Sequence, residues 1–323
     1  QKLPLLITCL VGIPLPWLMG QVSTVWGLTL LTALLWFTGG LGIALVGILA
    51  GLSAGEDERG KIFGVLALTG GLGALVGGLG TGWLVSRWGY TTMFNMITIL
   101  MALWPLCAIF LKETETKPPG LENHPAWALP GLGKSFYLLF VASTLSSISV
   151  FFVILIRSIL MNNLEFGPLE ITSTGAIGGL VAMPFPLLMG LLSDRIGRKT
   201  LLVIGYLTAL ASIVLLAFSK ELWNFWIVFM LQGIATGSAG IGSALVTDLV
   251  PRESFGKGLS IFNSSAWIGG IIGSAAGGYI LQNAGFLPTF IIGGFLAVAA
   301  IGLLIPIQAI SRRTVQPGTV TTV

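Results

Sequence analysis

The chain has 323 residues, 54% of them hydrophobic and only 9% charged, with a mean hydropathy of +0.95. That composition excludes a water-soluble globule, in which about 25% of residues are charged, and makes lipid the natural solvent for most of the chain. The formal net charge of +4 comes from basic residues at the ends of apolar runs, so it marks a membrane face and implies no nucleic-acid partner.

Ten apolar runs follow one another, at about 3–20, 25–52, 62–85, 91–111, 136–160, 171–192, 200–218, 222–248, 259–282 and 287–309. Each is long enough to cross a hydrocarbon core of about 30 Å at 1.5 Å per residue. Each is predicted to be a helix, because lipid leaves an open sheet edge unsatisfied. The first run has no small-residue cleavage site behind it and reads as a true helix, not a leader. Cys9 and Cys107 fall inside apolar runs and read as small packing residues. If Gln1 is cytoplasmic, 13 of the 16 lysines and arginines face inward and only Arg87, Arg157 and Lys220 outward. The positive-inside rule favours that orientation, with both ends of the chain cytoplasmic in a multi-pass protein of the cell membrane.

Residues 112–134 form the longest polar, proline-bearing stretch between runs and read as a linker. The expected organisation is a first helical bundle over 1–111, a cytoplasmic linker over 112–135, a second bundle over 136–309 and a cytoplasmic tail over 310–323. The halves are related by an internal repeat. At a constant offset of 196 residues Gly60-Lys61 matches Gly256-Lys257, and the register holds through Gly73/Gly269, Gly77/Gly273, Gly82/Gly278, Trp83/Tyr279, Gly89/Gly285 and Phe94/Phe290. Internal repeats are a mark of transporters. Four helices precede the linker and six follow, so the first half is expected to lack two helices, or about 70 residues at membrane-helix lengths; the alternative is a ten-helix protein.

Residues 190–199 read Gly-Leu-Leu-Ser-Asp-Arg-Ile-Gly-Arg-Lys, a charged turn between two membrane helices. This resembles the G-x-x-x-D-R-x-G-R-R/K signature of the major facilitator superfamily. The resemblance implies an all-α integral membrane fold of two six-helix bundles, with ten of twelve helices, the third to the twelfth, present here. Gly190, Asp194, Arg195, Gly197, Arg198 and Lys199 then form a gating loop. Asp194 is expected to meet the positive N-terminus of a neighbouring helix, which the resemblance places near Lys61; the alternative is a charge cluster that only sets topology.

Glycines at spacings of four let helices approach closely in lipid. Gly73, Gly77 and Gly78 lie in a stretch similar to the family's antiporter motif, with Ala74 in place of its proline, and Gly269, Gly273 and Gly277 form a second stripe. Gly175 and Gly179 form another. By family analogy the helix with Gly73 meets the helix with Gly175, whereas the Gly269 stripe would face an absent helix and be unpaired. Trp36 stands where antiporter relatives carry an arginine four residues before Gly40, which argues against proton-driven drug antiport and leaves a coupling proton or other ion undetermined.

Polar residues inside apolar helices are costly unless water, a solute or another helix satisfies them. Thr144, Ser146, Ser147, Gln232, Thr236 and Asn263 are therefore candidate cavity residues, with helix-to-helix hydrogen bonds as the alternative for each. Arg157 either snorkels to the outer headgroups or points inward toward an anionic group. Trp104-Pro105, and Pro184 with Pro186, mark expected kinks. The lone histidine, His124, has no metal-ligand spacing around it, and no phosphate-binding loop is present, so neither an enzyme nor an ATP-driven pump is expected, and no cofactor is implied. The leading expectation is a monomeric carrier of a small organic solute working by alternating access; the alternative is a membrane scaffold or sensor that keeps the fold.

Overall fold

Hydrocarbon obliges every backbone N–H and C=O to find its partner within the same segment, and the apolar runs are accordingly helical. The computed structural model describes residues 2–53, 59–110, 132–251 and 254–307. These hold α1 (Lys2–Gly12), α2 (Pro14–Gln21), α3 (Val25–Ser53), α4 (Arg59–Phe110), α5 (Lys134–Asn163), α6 (Pro168–Ala182), α7 (Phe185–Ile196), α8 (Arg198–Ala217), α9 (Leu222–Gly237), α10 (Ala239–Leu249), α11 (Phe255–Ala284) and α12 (Phe286–Leu304), with no strand among the described residues. Seven stretches of these are long and apolar enough to cross a membrane. Linker residues 112–131, including His124, the tail and Arg252 lie outside the described residues, whereas Lys134 and Ser135, expected in the linker, already belong to α5.

Three of the ten runs are interrupted, and each break has a local cause. Pro14 and Pro184 lack the N–H that would continue a helix; α1 stops before the first, and α6 stops before the second, where the Met183 amide still donates to Gly179 O at 3.1 Å. Between α9 and α10, Ser238 flattens to φ −73°, ψ −11°, and a Cβ placed on Gly205 of α8 would run into its side chain. Pro105, by contrast, is accommodated inside α4, which stays helical to Phe110.

Runs 62–85 and 91–111 join in α4 through a kink at Gly89, with φ 79° and ψ 176°. Its repeat partner Gly285, between α11 and α12, has φ 84° and ψ −172°. Only glycine adopts this conformation freely. The two halves thus turn from one span to the next at the same register with the same backbone geometry, and the sequence repeat is a structural one.

Among the described residues the backbone packs as two compact units, one within Gln1–His124 and Asn162–Met183, the other within Pro125–Met161 and Pro184–Val323. The second has a broad apolar core that includes Phe136, Leu139, Leu202, Leu245, Phe262 and Leu304. In the first, Leu5, Cys9, Leu49 and Ala108 form a small cluster. Cys9 is buried and Cys107 is exposed, both as free thiols.

Glycine contacts hold each unit at close range. In the first, α4 lies on α6: a Cβ on Gly71 would sit 2.9 Å from Met183 Cβ, one on Gly78 would sit 3.1 Å from Thr172 O, and Gly179 meets Ala74. In the second, α11 lies on α5, where a Cβ on Gly269 would come 2.7 Å from Thr144 O, one on Gly273 2.9 Å from Ile148 O, and one on Gly277 3.0 Å from the Phe152 ring. The α11 stripe is therefore not unpaired as family analogy suggested; α5 fills it. A Cβ on Gly73, Gly77 or Gly175 would meet nothing within 4 Å, so the close approach on α4 runs through Gly71, Gly78 and Gly82 instead.

Candidate functional site

The charged turn at 190–199 is built by two helix ends. Gly190 lies within α7, which closes at Ile196, and Gly197 then takes φ 85°, ψ 143°, a left-handed conformation that lets α8 start at once with Arg198. From there Arg198 Nη1 donates to Asp248 Oδ2 at 2.9 Å and to Ala244 O at 2.7 Å. It ties the first turn of α8 to the last turn of α10. Lys199 Nζ donates to Ile305 O at 2.7 Å and Ile307 O at 2.8 Å, placing a cation at the negative C-terminal end of α12. Arg195 is exposed; the side chains of Asp194 and Lys61, and with them the expected latch, lie outside the described residues.

The Arg198–Asp248 pair is partly shielded, with side chains 35% and 19% exposed. It therefore falls between a surface pair, worth about 0–1 kcal/mol, and a buried one whose breakage costs about 3–5 kcal/mol. A double-mutant cycle with Arg198→Ala and Asp248→Ala is expected to give a coupling of about 1–2 kcal/mol. Thermal or denaturant unfolding of the four variants checks it, and a coupling near zero would mean that the contact holds nothing together.

Deeper in the second unit, polar groups face one another between helices. Gln232 Nε2 on α9 donates to Ser212 Oγ on α8 at 2.9 Å, while Gln232 Oε1 is buried without a hydrogen-bond partner. On α11, Ser265 Oγ donates to Ser143 Oγ on α5 at 2.8 Å. Ser146 and Ser149 of α5 are buried. Thr144 and Ser147 lie under Gly269, and Thr144 Oγ1 donates to Phe140 O at 2.9 Å. Thr236 and Asn263 remain exposed; Thr236 Oγ1 donates to Gln232 O at 2.9 Å, and Asn263 Oδ1 accepts from Ser243 Oγ at 3.3 Å.

Arg157 is buried within the second unit. It lies six residues before the end of α5, about 9 Å along the axis, and only 9% of it is exposed. Its guanidinium carbon sits 4.3 Å from the centre of the Phe229 ring, and Nη2 donates to Ser158 Oγ at 3.0 Å. A cation over an aromatic face in a desolvated site gains about 2 kcal/mol. Arg87, one turn beyond Trp83, lies 5.5 Å from that ring, beside exposed Trp88 and Tyr90, in the manner of an interfacial aromatic belt.

Sequence reasoning did not single out Asp248, Ser212 or Phe229. Asp248 had a readable signal, a lone carboxylate ending an apolar run, but its partner lies fifty residues away. A further feature, a cavity of about 160 Å³ in the first unit, is lined by Thr81, Tyr90, Met93, Asn162, Phe166 and Thr172 among others.

Comparison with known proteins places this geometry in context. A family profile described as Major Facilitator Superfamily matches residues 2–156 and 137–319. "Multidrug resistance protein MdtG" of Klebsiella pneumoniae (strain 342) is 26% identical over 288 residues, which is 85% of this chain and 69% of that protein. The same-named protein of Serratia proteamaculans (strain 568) is 25% identical over 286 residues, 84% of this chain and 68% of its own length. "Multi-drug resistance efflux pump PmrA" of Streptococcus pneumoniae serotype 4 is 27% identical over 164 residues, 49% of this chain and 41% of its own.

Proposed function

The chain belongs to the Major Facilitator Superfamily, and from that premise we propose that it carries small organic solutes across the membrane by exposing one path alternately to each side. Relatives named for multidrug resistance and efflux support amphipathic molecules of drug-like size as the cargo. The observation that carries the reading is the presence of polar side chains within helices that are otherwise apolar. Thr236 and Asn263 are exposed, and hydrocarbon would not tolerate them cheaply. In a carrier they line the water-filled path, with Gln232 and the Arg157–Phe229 stack as groups that sense a polar solute. Asp194, Arg195, Arg198 and Lys199 then work the inner gate, and the transport is either facilitative or coupled to a proton or another ion.

The full-length protein in proteoliposomes tests this reading. An amphipathic fluorescent dye is offered with and without an imposed proton gradient, and Ile196→Cys, in a background without Cys9 and Cys107, reports access to an impermeant maleimide. A carrier moves the dye, and its labelling changes when the dye is present; a response to the gradient identifies the coupling ion. Absence of flux together with identical labelling in every condition would overturn the proposal in favour of a scaffold or sensor.

A further inference from the structure

We propose that the cavity of about 160 Å³ in the first unit binds a neutral, single-ring molecule carrying a hydroxyl or N–H donor, of which phenol is the simplest example. The site is separate from the path proposed above. Arg157, Gln232, Thr236 and Asn263 belong to the second unit and the cavity to the first, so the inference does not rest on the transport reading.

Three helices and one connection build the cavity. α4 contributes Thr81 before its kink at Gly89, and Tyr90 and Met93 after it; α5 contributes Asn162 near its end, the connection to α6 contributes Phe166, and α6 contributes Thr172. α4 and α6 touch at Gly82, where a Cβ would collide with Thr172 Oγ1, and the cavity runs from that contact toward the kink. Glu165, between Asn162 and Phe166 in the chain, is held at φ 63°. That conformation costs a non-glycine residue about 1 kcal/mol or more, and such strain clusters at ligand clamps.

The lining side chains decide what can bind. A cavity of about 150 Å³ holds one benzene ring, which sets the size. No charged side chain is among the described lining residues, so an ion would enter without a counter-charge, at high cost. Thr81 Oγ1 donates to Gly77 O at 2.7 Å, and Thr172 Oγ1 donates to Pro168 O at 2.9 Å. A hydroxyl has one proton, so toward the cavity both oxygens can only accept, and the ligand must bring the donor. An acyl chain has none. Two connections between apolar runs border the cavity, at Gly89 and at residues 164–167, and the ends of apolar runs are where lipid meets water. A neutral ring with one polar edge suits such a place.

Photolabelling of the full-length protein in lipid nanodiscs with 4-azidophenol, with adducts located by peptide mass, tests the site. Saturable labelling is expected on the segments that carry Met93 and Phe166. Unlabelled phenol should suppress it; toluene, which has the ring but no donor, should need about three- to tenfold more at equal concentration in the lipid, the worth of one neutral hydrogen bond. Thr81→Val and Thr172→Val should each narrow that ratio, and Val85→Phe, which fills the cavity, should lower labelling of these two segments severalfold. Should the variants fail to fold, the competition in the unaltered protein decides alone. Labelling that phenol does not suppress, or that toluene suppresses as strongly, overturns the proposal and makes the cavity a crevice for lipid.

Discussion

Replacing Gly82 or Gly179 by alanine is expected to destabilise the first unit by about 1–3 kcal/mol, and replacing either by leucine by more. At Gly82 a Cβ would collide with Thr172 Oγ1 and stand 2.8 Å from Leu169 Cα; at Gly179 it would collide with Ala74 Cβ and stand 3.3 Å from Gly71 O. Most of these obstacles are backbone atoms or a methyl group that cannot rotate aside, so relief requires α4 and α6 to part along their length. Gly175 on the same helix has open space around it, and Gly175→Ala is expected to raise stability by about 0.5–1 kcal/mol through helix propensity. Unfolding midpoints of the three alanine variants in one detergent decide the matter by sign. Gly82→Ala and Gly179→Ala should fall and Gly175→Ala should hold or rise; equal stability of all three would mean that the helices do not touch where the geometry puts them.

The helices were legible because lipid maps an apolar run onto a helix almost one to one, and the repeat was legible because its glycines mark kinks that no other residue makes as freely. The break at Pro184 was readable from proline chemistry. The break at Ser238 was not, since it depends on the small residue Gly205 across the helix pair. Glycine spacing found the α11 stripe but not its partner, which is fixed by tertiary packing. On α4, residues 73 and 74 differ by about 100° in direction, so spacing alone could not say which glycines would face α6. The charged turn was legible as a motif, but the partners of Arg198 and Lys199 lie fifty and more than a hundred residues away, beyond any local pattern. Arg157 had two readings at the end of an apolar run, and neither included its contact with Phe229, which lies seventy-two residues away.

Arg157→Met is expected to abolish most transport while leaving the fold as stable as before, or more so. The substitution keeps an unbranched side chain of similar length and removes a charge that burial holds away from water, and exchanging a buried ion for a packed apolar group is often neutral or stabilising. Against this stands the loss of the contact with Phe229, about 2 kcal/mol, so the net change in unfolding free energy should be small. Function should respond far more. A charged hydrogen bond to a solute is worth about 1.5–3 kcal/mol, so at 1.4 kcal/mol per tenfold its loss lowers flux at sub-saturating solute by about ten- to a hundredfold. Arg157→Lys keeps the charge but not the flat stacking plane and should fall between the two. Phe229→Leu removes the ring and should weaken transport with the arginine still in place. Flux and unfolding midpoints of the three variants separate the roles. Retained stability with lost flux places the guanidinium on the solute's path, whereas a large fall in midpoint with flux per folded molecule unchanged would make Arg157 a packing residue and move the polar binding site elsewhere.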